Sequence, residues 1–254
     1  MAWLQATDPF DPDAFDAPVV GIAAALADHD SSVHHHNRGQ LLYACRGCIR
    51  ITLENQLILL PPSRAAWIPP RTAHRAVMHK IVDYRSLYFS PEVSANLPNQ
   101  ARVINVSPLL HAVLEPIAVA GFEQDWSEGR YFHLLGLCIH ELREAPLQPM
   151  LLQFPSDRRL AKLIAQPDKL PPTLAALESE VGASGKTIGR IFQKETGMGY
   201  QQWRQQWRLM RAIELMATGF SLSRTAIELE FSTDTAFIVF FKNMTGSTPK
   251  AFFK

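Results

Sequence analysis

Cysteine is scarce: Cys45, Cys48 and Cys138 are the only three in 254 residues. Three thiols in a chain this long make no disulfide framework, which points to a compartment that keeps them reduced, the cytoplasm. Long apolar runs are missing too. The best stretch, residues 18–27, falls well short of the roughly 18 residues a membrane helix needs, so no membrane partner is expected. The first thirteen residues carry acidic side chains and no basic ones, unlike a secretory leader. An excess of one charge is absent, since 25 Lys and Arg face 24 Asp and Glu. With 47% apolar and 19% charged residues the chain is globular rather than disordered. At roughly 100 to 200 residues per domain, its length fits two domains better than one.

The balance of charge hides an asymmetry. Residues 1–155 hold 11 Lys and Arg against 15 Asp and Glu, and residues 156–254 hold 14 against 9. An acidic half joined to a basic half suits a sensing or assembly domain tied to a polyanion-binding one.

The two halves also differ in period. Residues 40–44, 49–53, 56–60, 64–68 and 79–90 are short β-type runs separated by turn residues, among them Pro61-Pro62 and Pro69-Pro70. Such runs predict a small barrel or sandwich, and closure into a barrel would hide the strand edges. From Ser107, an N-cap followed by Pro108, the period becomes helical. Leu109, Leu110, Val113, Leu114 and Ile117 form one stripe, with Gly121 as the stop. Phe132, Leu135, Ile139 and Leu142 predict a second helix over 130–144, ended by Pro146 and Pro149. Residues 145–156 read as a linker.

After Pro171-Pro172 everything is helical. Leu174, Leu177 and Val181 mark a short helix and Gly182 a turn; Ser184 caps a second helix with Ile188, Ile191 and Phe192 inside. Gly197 and Gly199 precede a long helix over 200–216 with Trp203, Trp207, Met210 and Ile213 on its apolar side. The short-helix, turn, short-helix pattern then recurs: Ala226 and Leu229, a turn near Phe231, and Thr233 as the cap of a helix bearing Phe237 and Phe241. This is a duplicated helix-turn-helix. About 17 residues at 1.5 Å each span roughly 25 Å, enough to hold two short helices about one DNA turn apart.

The residues in view resemble the DNA-binding domain of the AraC/XylS family of bacterial transcription regulators. The likeness covers residues 173–252 and rests on Arg190-Ile191-Phe192, Glu195-Thr196-Gly197, Phe231, Ala236-Phe237, Phe241-Lys242, Thr245-Gly246 and Pro249. His34, His36, residues 38–41, residues 61–69 and the junction at 154–157 resemble the cupin-type effector domain of one branch of that family. The resemblance implies an α+β chain with four parts: an N-terminal arm (1–17), a cupin-like effector-binding β-barrel (18–100), a helical linker and dimerisation segment (101–155), and an all-α DNA-binding domain with two helix-turn-helix units (156–254). It implies a cytoplasmic, non-enzymatic, effector-responsive homodimer that binds double-stranded DNA, and RNA polymerase as a partner if it activates. Effector binding would act only by favouring one of two states.

By the same resemblance, the second helix of each unit lies in a major groove. Lys186, Thr187, Gly189 and Arg190 then face DNA in the first unit, with Arg190 able to donate two hydrogen bonds to a guanine; the alternative is a solvated helix arginine. The second unit places Thr233, Asp234, Thr235, Ile238 and Val239 there. Val239 can touch a thymine methyl but donates nothing, and Asp234 would repel a phosphate. Ile238, Val239 and Phe240 read equally well as partly core. Glu230 stands where the family has a turn glycine, so the first unit is expected to carry most of the specificity. Lys194, Lys242 and Arg208 are phosphate-contact candidates, and Ser184 and Thr233 begin helices whose free N-termini could meet phosphates.

The histidines admit several readings. The cupin pattern finds His34, His36, Gln40 in its glutamate position, Gly47, Pro69, Arg71 in a glycine position, and His74. Three imidazoles could bind a divalent metal such as Zn²⁺. They could instead line a metal-free effector pocket, with Arg38, Tyr43 and Trp67 as further lining, or be structural. His35 should point outward, because alternate residues face opposite ways. Cys45 and Cys48 form a lone CxxC around Gly47 that reads as a bend or hairpin before it reads as a metal or redox site. Two rival functions stand beside the regulator with an effector: a DNA-binding regulator whose barrel only dimerises, and a metal-dependent cupin enzyme using His34, His36 and His74.

Overall fold

The computed structural model describes residues 2–5, 8–79, 82–148, 150–166 and 169–253. Pro149, expected to help end a helix, and the start of the expected 79–90 strand at residues 80–81 lie outside them. The chain divides into two compact units, residues 1–54 with 58–151, and residues 55–57 with 152–254.

The first unit holds most of two five-stranded sheets. One has the order β1-β8-β3-β6-β9, from Val19–Leu26, Val82–Phe89, Gly39–Arg46, Arg64–Ile68 and Arg102–Asn105. The other runs β10-β5-β4-β7-β2, from Leu151–Gln153, Gln56–Leu60, Ile49–Leu53, His74–Met78 and His29–Asp30. The expected barrel is therefore a two-sheet sandwich and not one closed ring. Two of its edges are blunted by shortness, since β2 has two residues and β9 four. Beyond β2, His34 and His74 exchange backbone hydrogen bonds of 2.9 Å as an isolated bridge.

The first sheet is buried on both faces. In β3 and β8, Gln40 pairs with Tyr88 and Leu42 with Ser86, while Leu41 pairs with Leu87 and Tyr43 with Arg85. Successive side chains point to opposite faces, so these two sets separate. Leu41, Tyr43, Trp67, Leu87 and Phe89 join the cores of α2 (Pro108–Ala118) and α3 (Gly129–Glu144) in one apolar cluster. Helix α2 approaches β1 so closely that a Cβ on Gly21 would stand 2.3 Å from the Ile117 carbonyl oxygen. A short helix, α1 (Pro91–Ser94), follows β8.

Helix α2 starts as expected: Ser107 Oγ accepts from the Leu110 N–H at 3.0 Å, with Pro108 in the first turn. Leu110, Val113, Leu114 and Ile117 are buried, but Leu109 lies off the stripe and is half exposed. The helix ends at Ala118, before Gly121. On α3 the buried residues are Leu135, Cys138 and Leu142, while Phe132 faces out. The segment 101–155 is thus no free linker. It begins with a strand of the first sheet, and its two helices spend their apolar stripes inside the unit. Gly47, at φ 87°, turns the chain from β3 in the first sheet to β4 in the second, so the CxxC is a bend between sheets rather than a hairpin, and its two thiols form no disulfide.

The second unit is helical: α4 (Ala161–Ala165), α5 (Leu174–Val181), α6 (Gly185–Thr196), α7 (Tyr200–Ala217), α8 (Leu222–Glu228), α9 (Asp234–Thr245) and α10 (Pro249–Phe252). Its repeat is written in capping chemistry. Thr173, Ser184, Ser221 and Thr233 each accept a hydrogen bond from the third residue onward, at 3.1–3.3 Å. Gly197 and Gly246 end α6 and α9 in the left-handed conformation. Trp203, Trp207, Met210 and Ile213 of α7 are buried between the repeats, as their spacing predicts.

The repeat breaks at one backbone position. Gly182 ends α5 at φ 62°, and the matching turn after α8 places Glu230 at φ 57°. An L-residue there costs about 1 kcal/mol relative to glycine. Its ion pair with Arg204, at 3.5 Å and with the carboxylate largely exposed, returns little. Glu230→Gly should therefore raise stability by about 1 kcal/mol, read as a higher denaturant midpoint at unchanged slope.

Candidate nucleic-acid interface and ligand cavity

Helices α6 and α9 superimpose in sequence with an offset of 49, which carries Ser184 to Thr233, Phe192 to Phe241 and Gly197 to Gly246. Lys186 then matches Thr235, Gly189 matches Ile238, and Arg190 matches Val239. On α6, Lys186, Arg190 and Lys194 are exposed at intervals of four, forming one cationic stripe. None of the three has a hydrogen-bond or ion-pair partner among the described residues. Thr187 is half buried, its hydroxyl 3.1 Å from the Ser184 cap, and Gly189 has open space where a side chain would be. On α9, Asp234, Thr235 and Lys242 are exposed, Ile238 is half buried and Val239 is 53% exposed. Phe240 turns inward onto Phe231, with ring centroids 5.0 Å apart.

The helix N-termini are less free than expected. The Gly185 N–H donates to the Glu178 carboxylate, and Asp234 sits in the first turn of α9, accepting from the Ser223 hydroxyl. A carboxylate there already answers the positive end of the helix dipole that a phosphate would seek.

Arg208 is no phosphate contact. It is buried, its guanidinium lies 3.9 Å from the Phe231 ring centroid, and it donates to the Leu229 carbonyl at the end of α8. Burial lowers its pKa. It fastens the second turn onto α7, so Arg208→Ala should destabilise the protein by about 2–3 kcal/mol. A phosphate ligand would instead leave unfolding unchanged and lessen the salt dependence of DNA binding.

In the first unit a cavity of about 340 Å³ is lined by both sheets and by the N-terminal segment, which contributes Leu4, Gln5, Asp8 and Phe10. His34, His74, Gln40, Tyr84 and Tyr88 give its wall polar groups. His36, just behind Gln40, is buried, and His35 is exposed as expected. The ring centroids of His34, His36 and His74 are 4.3 to 6.1 Å apart. Burial lowers the pKa of His36 and takes that of His74 down to about 4. Both rings are therefore neutral at pH 7.

Three proposed lining residues are elsewhere. Tyr43 and Trp67 sit on the opposite face of their sheet, against α2 and α3, because each is one residue out of phase with Gln40 or its neighbours. The Trp67 indole N–H donates to the Pro98 carbonyl at 2.7 Å. Arg38 donates to the carbonyls of Phe15, Ala17 and Tyr88 and lines a separate cleft beside Asp13 and Glu92. Tyr84, Ser86 and Tyr88 escaped the sequence reading. Their alternation along β8, opposite Gln40, was the available sign.

Residues 16–166 match the model of the AraC-like ligand binding domain, and residues 177–254 that of a helix-turn-helix domain. The HTH-type transcriptional regulator NimR of Escherichia coli strain K12 is 29% identical over 245 residues, covering 94% of this chain and 89% of NimR. The HTH-type transcriptional regulator RipA of Corynebacterium glutamicum is 35% identical over 71 residues, or 28% of this chain and 22% of RipA. The crystal structure of ToxT from Vibrio cholerae O395 aligns with 93% of this chain and 97% of its own, at 12% identity and a TM-score of 0.37. With a ligand-binding domain matched over more than half its length, followed by a helix-turn-helix domain, the chain belongs to the AraC family and is an effector-responsive, DNA-binding transcription regulator.

Proposed function

We propose that this regulator reads its operator mainly through α6 and takes its effector in the cavity walled by His34, Gln40, His74, Tyr84 and Tyr88. The observation that carries the DNA assignment is the difference between the two repeats. Helix α6 presents Lys186, Arg190 and Lys194 free and exposed, and α9 presents Val239 where α6 has Arg190. Only a guanidinium at that position can donate two hydrogen bonds to guanine O6 and N7. Helix α9, with Thr235 and Lys242, then serves chiefly to position the domain on the backbone.

The cavity supports an organic effector because it mixes apolar wall with a few oriented polar groups. A homodimer is proposed as well, working in the cytoplasm, with RNA polymerase as partner where it activates. The apolar residues of α2 and α3 still exposed, Leu109 and Phe132, are the groups available to a second copy. Sedimentation of the full chain should show a dimer that Phe132→Asp weakens.

On a site selected from randomised duplexes, Arg190→Ala should cost about 1–3 kcal/mol and relax one base position; Lys186→Ala should weaken all sequences alike and reduce the salt slope by about 1. An Arg190→Ala protein with unchanged affinity removes α6 from the reading role. Gly189→Ala separates fold from recognition. It should stabilise the helix by up to about 1 kcal/mol while lowering DNA affinity, because a methyl group enters the groove-facing surface.

A further inference from the structure

His34, His36 and His74 share one arrangement: the Nδ1 of each ring faces a backbone carbonyl. A neutral imidazole has one N–H. His36 Nδ1 lies 2.7 Å from the Arg38 carbonyl oxygen, His74 Nδ1 2.8 Å from that of Thr72, and His34 Nδ1 3.1 Å from that of Ser32. A carbonyl only accepts, so each Nδ1 carries a proton. The Nε2 atoms of the neutral His36 and His74 rings are then bare lone pairs.

Those lone pairs lack donors. His74 Nε2 is buried with no partner among the described residues. His36 Nε2 lies 3.3 Å from Gln40 Oε1, acceptor against acceptor, because the Gln40 amide N–H groups are directed at Ser86 Oγ and Tyr88 OH, each at 3.0 Å. Turning the amide over would satisfy His36 alone and leave His74 bare. One ring nitrogen from each histidine lies within 4.8 Å of the others. Side-chain rotation can close that to the roughly 3.4 Å between ligand nitrogens around a tetrahedral ion with bonds of about 2.0–2.1 Å. Backbone carbonyls holding Nδ1–H is the arrangement that orients metal-binding imidazoles.

We propose that His34, His36 and His74 bind one first-row divalent cation through Nε2, with a coordination position open to the cavity. Three neutral imidazoles suit Zn²⁺, Co²⁺, Fe²⁺ or Ni²⁺. With no carboxylate in the donor set, the ion keeps its full charge. The effector class that follows is a small molecule offering an anionic donor atom, such as a carboxylate or phenolate. This rests on the reading of the cavity as the effector site.

The test is a Co²⁺ titration of the tag-free full chain, followed by its visible absorption. One equivalent of Co²⁺ should produce bands that Zn²⁺ abolishes and that azide, a small anionic ligand, shifts. His34→Gln, at the most exposed of the three, and His74→Gln should each weaken binding by at least about tenfold. Cys45→Ser should not, although Cys45, His111 and Glu115 form another group with potential ligand atoms within 4.8 Å. Circular dichroism checks each variant, and the wild-type titration stands whatever His74→Gln does. No bands in the wild type, or bands lost in Cys45→Ser and kept in His34→Gln, overturn the site. Bands that azide leaves unchanged overturn the open position. Absence of metal alongside a melting shift from a metal-free organic ligand overturns this inference and leaves the cavity reading standing.

Discussion

The first sheet has no solvent face, and most of the first unit's chemistry follows from that. Strands β1, β3 and β8 are buried almost from end to end. With both sides covered, the two-residue alternation sorts residues between two interiors rather than between core and water. Leu41, Tyr43, Leu87 and Phe89 go to the helix side, where α2 and α3 close over them. Gln40, Leu42, Tyr84 and Tyr88 go to the cavity. A one-residue slip of β3 would carry Gln40 into the apolar cluster and Tyr43 into the cavity. Helices α2 and α3 supply the second cover of this sheet, on the face away from the cavity.

The helical unit is a duplication whose two copies share their caps and differ at their exposed positions. Both repeats keep Ser or Thr caps, a left-handed glycine after the second helix, and a Thr hydroxyl bonded back to a Phe carbonyl, Thr196 to Phe192 and Thr245 to Phe241. These features set helix geometry, and both copies need them. The exposed positions have diverged, from Lys186 and Arg190 to Thr235 and Val239. The turn has diverged as well, from Gly182 to Glu230, so the second repeat places on a glutamate the positive φ that the first places on a glycine. Arg208 offsets part of this by bonding the Leu229 carbonyl one residue earlier and stacking on Phe231 one residue later.

Periodicity and capping made the helical unit almost fully legible. Ser184 and Thr233 begin their helices where hydroxyl caps were expected, and α7 buries the residues its spacing selected. The unit was readable because its contacts are local. The sandwich was less so. Sequence marked β3, β4, β5, β6 and β8 but not β1, β2, β7, β9 or β10, and not which faces would be covered, so Tyr43 and Trp67 looked like cavity residues. Two departures from family pattern were informative in advance. Glu230 and Arg71 both stand where glycine is usual, and both adopt positive φ, 57° and 61°. Arg208 was misread because a cation on a helix facing a presumed polyanion looks the same in sequence whether it is exposed or stacked on a ring.

The segment 36–38 shows how closely the cavity and the N-terminal segment are joined. His36 turns inward to the other imidazoles. The next residue, Asn37, donates its backbone and side-chain N–H groups to the Asp13 carboxylate at 2.9–3.1 Å. Arg38 donates to the carbonyls of Phe15 and Ala17. Phe10, from the same N-terminal segment, packs its ring 5.3 Å from that of Tyr88, which itself hydrogen-bonds Gln40. Three consecutive residues joined by planar peptide units therefore bear one cavity ligand and two fastenings of the strand that lines it. A backbone shift at His36 would carry Asn37 and Arg38, which hold the N-terminal segment by hydrogen bonds to a carboxylate and two carbonyls. The residue next to His36 and the one after it are thus tied by hydrogen bonds to the N-terminal segment that lines the cavity.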